Sequence, residues 1–323
     1  MNKFRMKSIF LILLMGTLFV FLFACQNSNT NETVNVTIDY HNGDSQIVHT
    51  IPKNSKIEKP ELIERENLIF EGWYEDVDFE KEFKFSRRIK EDLTLHAKYT
   101  VDYELLNSKI NNGELKSHVG IKITYYNRFR TSYSWGSGVV IEITDSKVYI
   151  LSNSHLSKKN HGLSNIKFQV YDYLDYSAPA ELVFEKSEYD LAVFVCERFS
   201  ENFELIDYGN NHWIGEDIVS IGRPLGTPNN VTFGKINGYV EGPYLTCDKS
   251  ESNVHFEVIN HSSYINLGSS GGALLNLDLK LIGIQYAVKQ DEETNEFKSG
   301  YAIPLHKVYE FLELYNEFRK TNA

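Results

Sequence analysis

Apolar and polar positions alternate with period two over most of this chain, in short runs separated by Gly, Asn, Asp and Ser. Such runs predict half-buried strands. Val34, Val36 and Ile38 alternate first, and a turn follows at His41-Asn42-Gly43-Asp44, where Asn-Gly suits a hairpin. Apolar residues return in Phe70-Glu71-Gly72-Trp73-Tyr74 and in Leu93-Thr94-Leu95-His96-Ala97-Lys98-Tyr99. Val101 to Gly113 reads as a short helical connector. Beyond it the pattern predicts strands over 120–126, 138–143, 147–151, 166–171, 180–184 and 191–195. A second series is expected over 217–221, 230–240, 254–259, 272–276, 281–288 and 299–302. Lys307 to Lys320 then places Val308, Phe311, Leu312, Tyr315 and Phe318 on one helical face. Two sets of about six strands and a closing helix predict a mainly β fold of sandwich or barrel type rather than βαβ units.

The first residues follow another pattern. Lys3, Arg5 and Lys7 precede an apolar block from Ile9 to Ala24, the layout of a secretory signal. Leu22-Phe23-Ala24-Cys25 resembles a bacterial lipobox, in which the cysteine is lipidated and becomes the mature N-terminus. That resemblance implies a signal peptide over 1–24, an acylated Cys25 holding a lipid bilayer, and a location on the extracellular side of the bacterial cell membrane. A plain N-terminal membrane anchor is the competing reading, and both put the remainder outside the cytoplasm. Residues 25–33 are polar and read as a flexible tether.

Composition narrows the choice. At ~100–200 residues per domain, 323 residues suggest two or three domains. The formal charge is −11, and loss of residues 1–24 removes three positive charges and no acid, leaving −14. An acidic exported body has little attraction for phosphate backbones, so nucleic acid is not expected as a partner. Beside Cys25 only Cys196 and Cys247 remain, too few for a disulfide framework, and both thiols are expected to be free and buried. No CxxC or HExxH pattern occurs, so neither a metal nor a cofactor is expected.

The F-x-G-W-Y and L-T-L-x-A-K-Y signatures within 34–100 resemble the Listeria–Bacteroides repeat family, small β-grasp-like modules of bacterial surface proteins. The resemblance implies a spacer or adhesion module with a surface partner and no catalytic residues. Trp73 and Tyr74 are expected to be core aromatics rather than a ligand platform.

Candidate chemistry centres on Asn266-Leu267-Gly268-Ser269-Ser270-Gly271-Gly272. Glycines flanking a serine let it stand at the apex of a tight turn. The amides of Gly268 and Ser270 could then converge on a developing oxyanion. This loop resembles the active-serine loop of trypsin-like serine proteases. The same residues also fit the G-x-S-x-G pattern of α/β-hydrolases, which place their acid and histidine after the serine. Here the only downstream histidine is His306, whereas His155 and Asp190 precede Ser270 in the trypsin-like order.

His155 ends an apolar strand in Val148-Tyr149-Ile150-Leu151-Ser152-Asn153-Ser154-His155, and Asp190 opens Asp190-Leu191-Ala192-Val193. Both contexts resemble that family's histidine and acid loops. The resemblance implies that His155 exchanges the proton, Asp190 orients it, and Ser270 attacks a carbonyl. More segments resemble the HtrA-type branch: Gly136-Ser137-Gly138-Val139, Ile221-Gly222-Arg223-Pro224-Leu225-Gly226, Leu281-Ile282-Gly283-Ile284 and Gly300-Tyr301-Ala302-Ile303-Pro304. The branch implies two six-stranded antiparallel β-barrels over 101–323. Leu267 stands where the branch has proline and Ser269 where it has asparagine, and no PDZ-type domain is expected after the closing helix.

By the same resemblance, Ile265 and the stretch Gln285, Tyr286 and Val288 would wall the primary pocket. No carboxylate is among them, so cleavage after small or medium apolar residues is expected, with proteins or peptides as substrates. The alternative is a surface-binding protein with an inactive protease-like domain.

Overall fold

The computed structural model describes residues 32–42, 45–65, 67–112, 116–158, 163, 165–210, 212–228, 230–242, 252–291 and 293–322. The expectations for Cys25 and Cys247 lie outside these residues. Among the described residues no helix is long and apolar enough to cross a membrane.

The chain divides into two compact units. The first comprises residues 1–39, 46–61 and 73–96. Its strands belong to a four-stranded sheet of order β2-β1-β4-β3, made from β1 (Thr33–Asp39), β2 (Ile47–Pro52), β3 (Leu68–Tyr74) and β4 (Leu93–Val101). β1 runs antiparallel to β2 and parallel to β4. The alternating Val34, Val36 and Ile38 are buried, and so is Trp73, which acts as a core aromatic. The pattern gave no sign of β2, because its side chains lie mostly at the surface and backbone pairing alone makes it a strand.

The second unit comprises residues 40–45, 62–72 and 97–323. After helix α1 (Tyr103–Asn111), capped by the Asp102 carboxylate on the Leu105 amide, twelve strands close two barrels. The first barrel has the order β10-β7-β6-β5-β8-β9. Its strands are β5 (His118–Tyr126), β6 (Thr131–Ile143), β7 (Lys147–Ser152), β8 (Asn165–Tyr171), β9 (Ser177–Lys186) and β10 (Leu191–Glu197). The second has the order β11-β12-β13-β16-β15-β14. It uses β11 (Asp217–Gly222), β12 (Asn230–Glu241), β13 (Glu257–His261), β14 (Ala273–Leu275), β15 (Leu281–Gln290) and β16 (Phe297–Pro304). β6 begins seven residues before its predicted start at 138, because Thr131–Trp135 pair with Lys122–Tyr126 in a hairpin that buries little side chain.

Strand periodicity sorts side chains between two cores. In β10, Ala192, Phe194 and Cys196 fill the first barrel, while Leu191 and Val193 face a core shared with the second. In β11 and β14, Ile218 and Leu274 point into the second barrel, whereas Val219, Ile221, Ala273 and Leu275 join the shared core. A strand buried on both faces must read as a continuous apolar run, as Leu-Ala-Val-Phe-Val-Cys does. Cys196 is a free thiol, and burial pushes its pKa up to about 12, so it is chemically quiet.

Helix α2 (Leu305–Thr321) closes the unit by burying Leu305, Val308, Phe311 and Tyr315. Its rings Phe311, Tyr315 and Phe318 lie 5.4, 5.7 and 5.1 Å from Phe184 of β9, and Arg319 pairs with Glu142 of β6. The last helix thereby laces the second barrel back to the first.

Candidate active site

β7 and β10 are antiparallel neighbours with Ser152 opposite Ala192, so the end of one strand meets the start of the other. His155 sits in a short 3-10 turn (Ser154–Ser157) just past β7, and Asp190 immediately precedes β10. The Asp190 carboxylate is buried and fully engaged. Its Oδ2 faces His155 Nδ1 at 2.8 Å, and its Oδ1 accepts from the His155 amide at 2.9 Å and Ser154 Oγ at 3.1 Å. Its carbonyl accepts from Asn153 Nδ2 at 2.9 Å. A buried carboxylate without such donors would be costly. Asp190 also has φ 50°, a left-handed conformation that Asp tolerates but that costs roughly 1–3 kcal/mol. The strain aims its carboxylate back at the histidine turn. The contributions of Asn153 and Ser154 were not predicted; the only sequence signal is that two small polar residues precede the histidine.

Ser270 lies between β13 and β14, in the second barrel, and its turn is seated on the first. The Ser137 amide donates to the Ser270 carbonyl at 2.7 Å, and Ser152 Oγ donates to the Ser137 carbonyl at 2.6 Å. A Cβ on Gly271 would lie 2.0 Å from Ser152 Oγ and 2.2 Å from the Ser137 carbonyl. Gly271 has φ 83° and Gly268 φ 98°, so both glycines are required. The serine turn is thus pressed against β6 and β7, three residues from His155.

Inside the turn, the amides of Ser269, Gly271 and Gly272 donate to the carbonyls of Asn266, Gln285 and Ser269, each at 2.9 Å. Those of Gly268 and Ser270 donate to no group among the described residues. These are the two donors expected at an oxyanion. Ser270 Oγ likewise makes no hydrogen bond among the described residues, so its link to His155 is not formed in this structure. In ligand-free enzymes such bonds are often long and tighten only with substrate.

Of the expected pocket residues, Ile265 and Gln285 line a narrow recess together with Ser220, Ile221, Gly222, Asn230, Thr232, Tyr264 and Ser269. Tyr286 and Val288 are not part of that lining. Tyr286 is fully buried in the shared core, on the opposite face of β15 from Gln285. Behind the recess lies a polar ring that the sequence did not suggest. His261 Nε2 donates to Gln285 Oε1 (2.8 Å), Gln285 Nε2 to Ser220 Oγ (2.7 Å), Ser220 Oγ to Ser263 Oγ (2.5 Å) and Ser263 Oγ to His261 Nδ1 (2.8 Å). Burial pushes the His261 pKa down to about 4, which keeps the ring neutral.

Two closed six-stranded barrels, a His–Asp pair on one and a glycine-flanked serine turn on the other, define a trypsin-like architecture. Residues 136–284 match the trypsin-like peptidase domain, and residues 35–98 match the Listeria–Bacteroides repeat domain. It is 33% identical over 179 residues to the serine protease Do-like HtrA of Bacillus subtilis, covering 54% of this chain and 37% of that one. Against the serine protease HtrA-like of Staphylococcus haemolyticus the identity is 32%, over 55% of this chain and 28% of that one. Against a probable periplasmic serine protease do/HhoA-like of Haemophilus influenzae it is 30%, over 57% and 37%. The chain therefore spans about a third of the length of these relatives. A solved HtrA-type protease with a tripeptide shares the fold at a TM-score of 0.50 and 23% identity, over 64% of this chain and 62% of that one.

Proposed function

We propose that this chain is an exported serine endopeptidase, with residues 34–100 a separate surface module and residues 101–323 the protease. Ser270 attacks the scissile carbonyl, His155 takes its proton and returns it to the leaving amine, and Asp190 fixes the tautomer and steadies the imidazolium. The Gly268 and Ser270 amides receive the oxyanion. The observation that carries this reading is the buried Asp190–His155 pair at 2.8 Å on one barrel facing a serine turn with two uncommitted amides on the other. Relatives named periplasmic support export, and acylation of Cys25 would anchor the chain to the membrane.

The recess around Ile265 and Gln285 presents hydroxyls, amides and apolar groups but no ionised side chain, which supports cleavage after small or medium apolar residues. Peptide-library profiling tests this, and a dominant Lys or Arg preference overturns it. Ser270→Ala is expected to lower turnover on the order of a millionfold while leaving Tm nearly unchanged. The second reading, an adhesion protein with an inactive protease-like domain, draws on the unformed Ser270–His155 bond. Fluorophosphonate labelling of the mature protein separates the two, because only an activated serine reacts.

A further inference from the structure

No proline stiffens the loop 264–272, and the turn 223–226 is packed directly against it. We propose that Arg223 is a positioning residue, a bolt between the barrels that fixes the carbonyls and amides around Gly268; this rests on the protease reading.

The main chain of Arg223 touches the loop directly. A Cβ on Gly268 would fall 2.4 Å from the Arg223 carbonyl and 3.0 Å from Pro224 Cα. Ser137 Oγ accepts from the Arg223 amide at 2.8 Å and donates to the Gly268 carbonyl at 2.7 Å. The Leu225 amide donates to the Leu267 carbonyl at 2.8 Å. Leu225 makes that bond at φ 54°, a left-handed conformation that a leucine holds only when its surroundings enforce it. The strained turn 223–226 is therefore the cradle in which Leu267 and Gly268 lie.

The side chain of Arg223 supplies the enforcement. It is buried and packs on the outer face of the first barrel, where Gly120 of β5, between the inward-facing Val119 and Ile121, leaves it room: a Cβ there would lie 2.2 Å from Arg223 Cδ. Its guanidinium lies 4.9 Å from the ring centroid of Trp135 on β6 and 5.1 Å from that of Tyr171 on β8, two rings that touch each other at 5.1 Å. It pairs with Asp175 in the β8–β9 turn, and its Nε donates to the Gly226 carbonyl at 3.1 Å, closing the 223–226 turn on itself. A guanidinium that lies over two aromatic rings, pairs with a carboxylate and donates from Nε to a carbonyl is a task for Arg and not Lys, which has no Nε–H donor on its stem. Three strands of the first barrel thus hold the turn that holds the oxyanion loop. Displacing the loop by about 1 Å is enough to cost on the order of a hundredfold in rate.

The test compares wild type with Arg223→Lys and Arg223→Gln in two readouts: kcat and KM on a peptide substrate, and deuterium uptake of the segment 264–272. Both variants are expected to lose on the order of a hundredfold in kcat, with KM changed by less than about threefold, and to take up deuterium faster in that segment. Kinetics and uptake within twofold of wild type in both variants would overturn the proposal. Should neither fold, Trp135→Leu, which removes one of the two rings beneath the guanidinium, carries the same expectation and the same overturning result. If wild type neither turns over substrate nor labels with a fluorophosphonate, the protease reading has failed, and unchanged uptake in the variants still decides against the bolt.

Discussion

His155 and His261 are both buried histidines at strand ends, one in each barrel, and their partners give them opposite natures. His155 turns Nδ1 to a carboxylate and leaves Nε2 uncommitted by any hydrogen bond among the described residues. In the proposed mechanism the imidazolium that forms there has an anion beside it. His261 has a neutral group on each nitrogen, in a ring where every donor meets an acceptor. Protonating it would set a donor against a donor, which adds to the cost of burial. Burial alone therefore does not separate a reactive histidine from a structural one. The charge state of its partners does.

The comparison breaks most visibly at Asp190. Asp190→Asn is expected to lower kcat by about 10⁴-fold, since an amide allows the wrong histidine tautomer. Steady-state kinetics beside an unchanged far-UV spectrum would check it; a loss below tenfold would mean that His155 does not depend on its carboxylate.

At His261 the expected loss is in stability. His261→Phe strands Ser263 Oγ and Gln285 Oε1, each a buried polar group worth about 1–3 kcal/mol, so unfolding should become easier by about 2–4 kcal/mol at pH 7. The sign with pH follows from its lowered pKa. Neutral His261 contributes fully above its unfolded pKa of about 6.5, and the contribution fades as pH falls through 6.5 toward about 4. The gap between wild type and variant should accordingly narrow from pH 7 to pH 4 in denaturant titrations. A gap that widened would mean that His261 is charged in the folded state. Because Gln285 also pairs through its backbone with Gly271 and Gly272, kcat should fall somewhat, but far less than in Asp190→Asn.

Glu216 sharpens the contrast with a smaller effect. It is buried, and burial, opposed by the Trp213 amide at 3.3 Å, pushes its pKa up to about 7. Its ionised form is favoured in the unfolded chain, so it weakens the fold as pH rises from about 4.5 to about 7. Glu216→Gln should raise stability by about 1–3 kcal/mol at pH 8 and change little at pH 4. Thermal melts at the two pH values would show it, and equal gains at both would remove titration as the cause.

Much of the site was legible in the chain because its signals are local. The apolar run after Asp190, the small polar residues before His155 and the glycines around Ser270 each reflect a demand made within a few residues. Strands with one or two buried faces announced themselves for the same reason. Those held by backbone pairing alone, β2 and the first part of β6, did not. Nor could periodicity show that Tyr286 turns into the shared core while Gln285 faces the recess, since the register of β15 against β14 and β16 selects the face.

The sequence by itself determined the strand pattern, a mainly β fold of sandwich or barrel type, and which His, Asp and Ser stand at strand ends and turns, because these follow from short-range periodicity and turn chemistry; the two barrels came from the resemblance to trypsin-like proteases. Only the tertiary structure decided that Arg223 threads past Gly120 to Trp135 and Tyr171, that Ser137 bridges the two barrels, and that His261 is sealed in a neutral ring. Those contacts join residues 24 to 131 positions apart, and no local pattern encodes a partner brought in from so far along the chain.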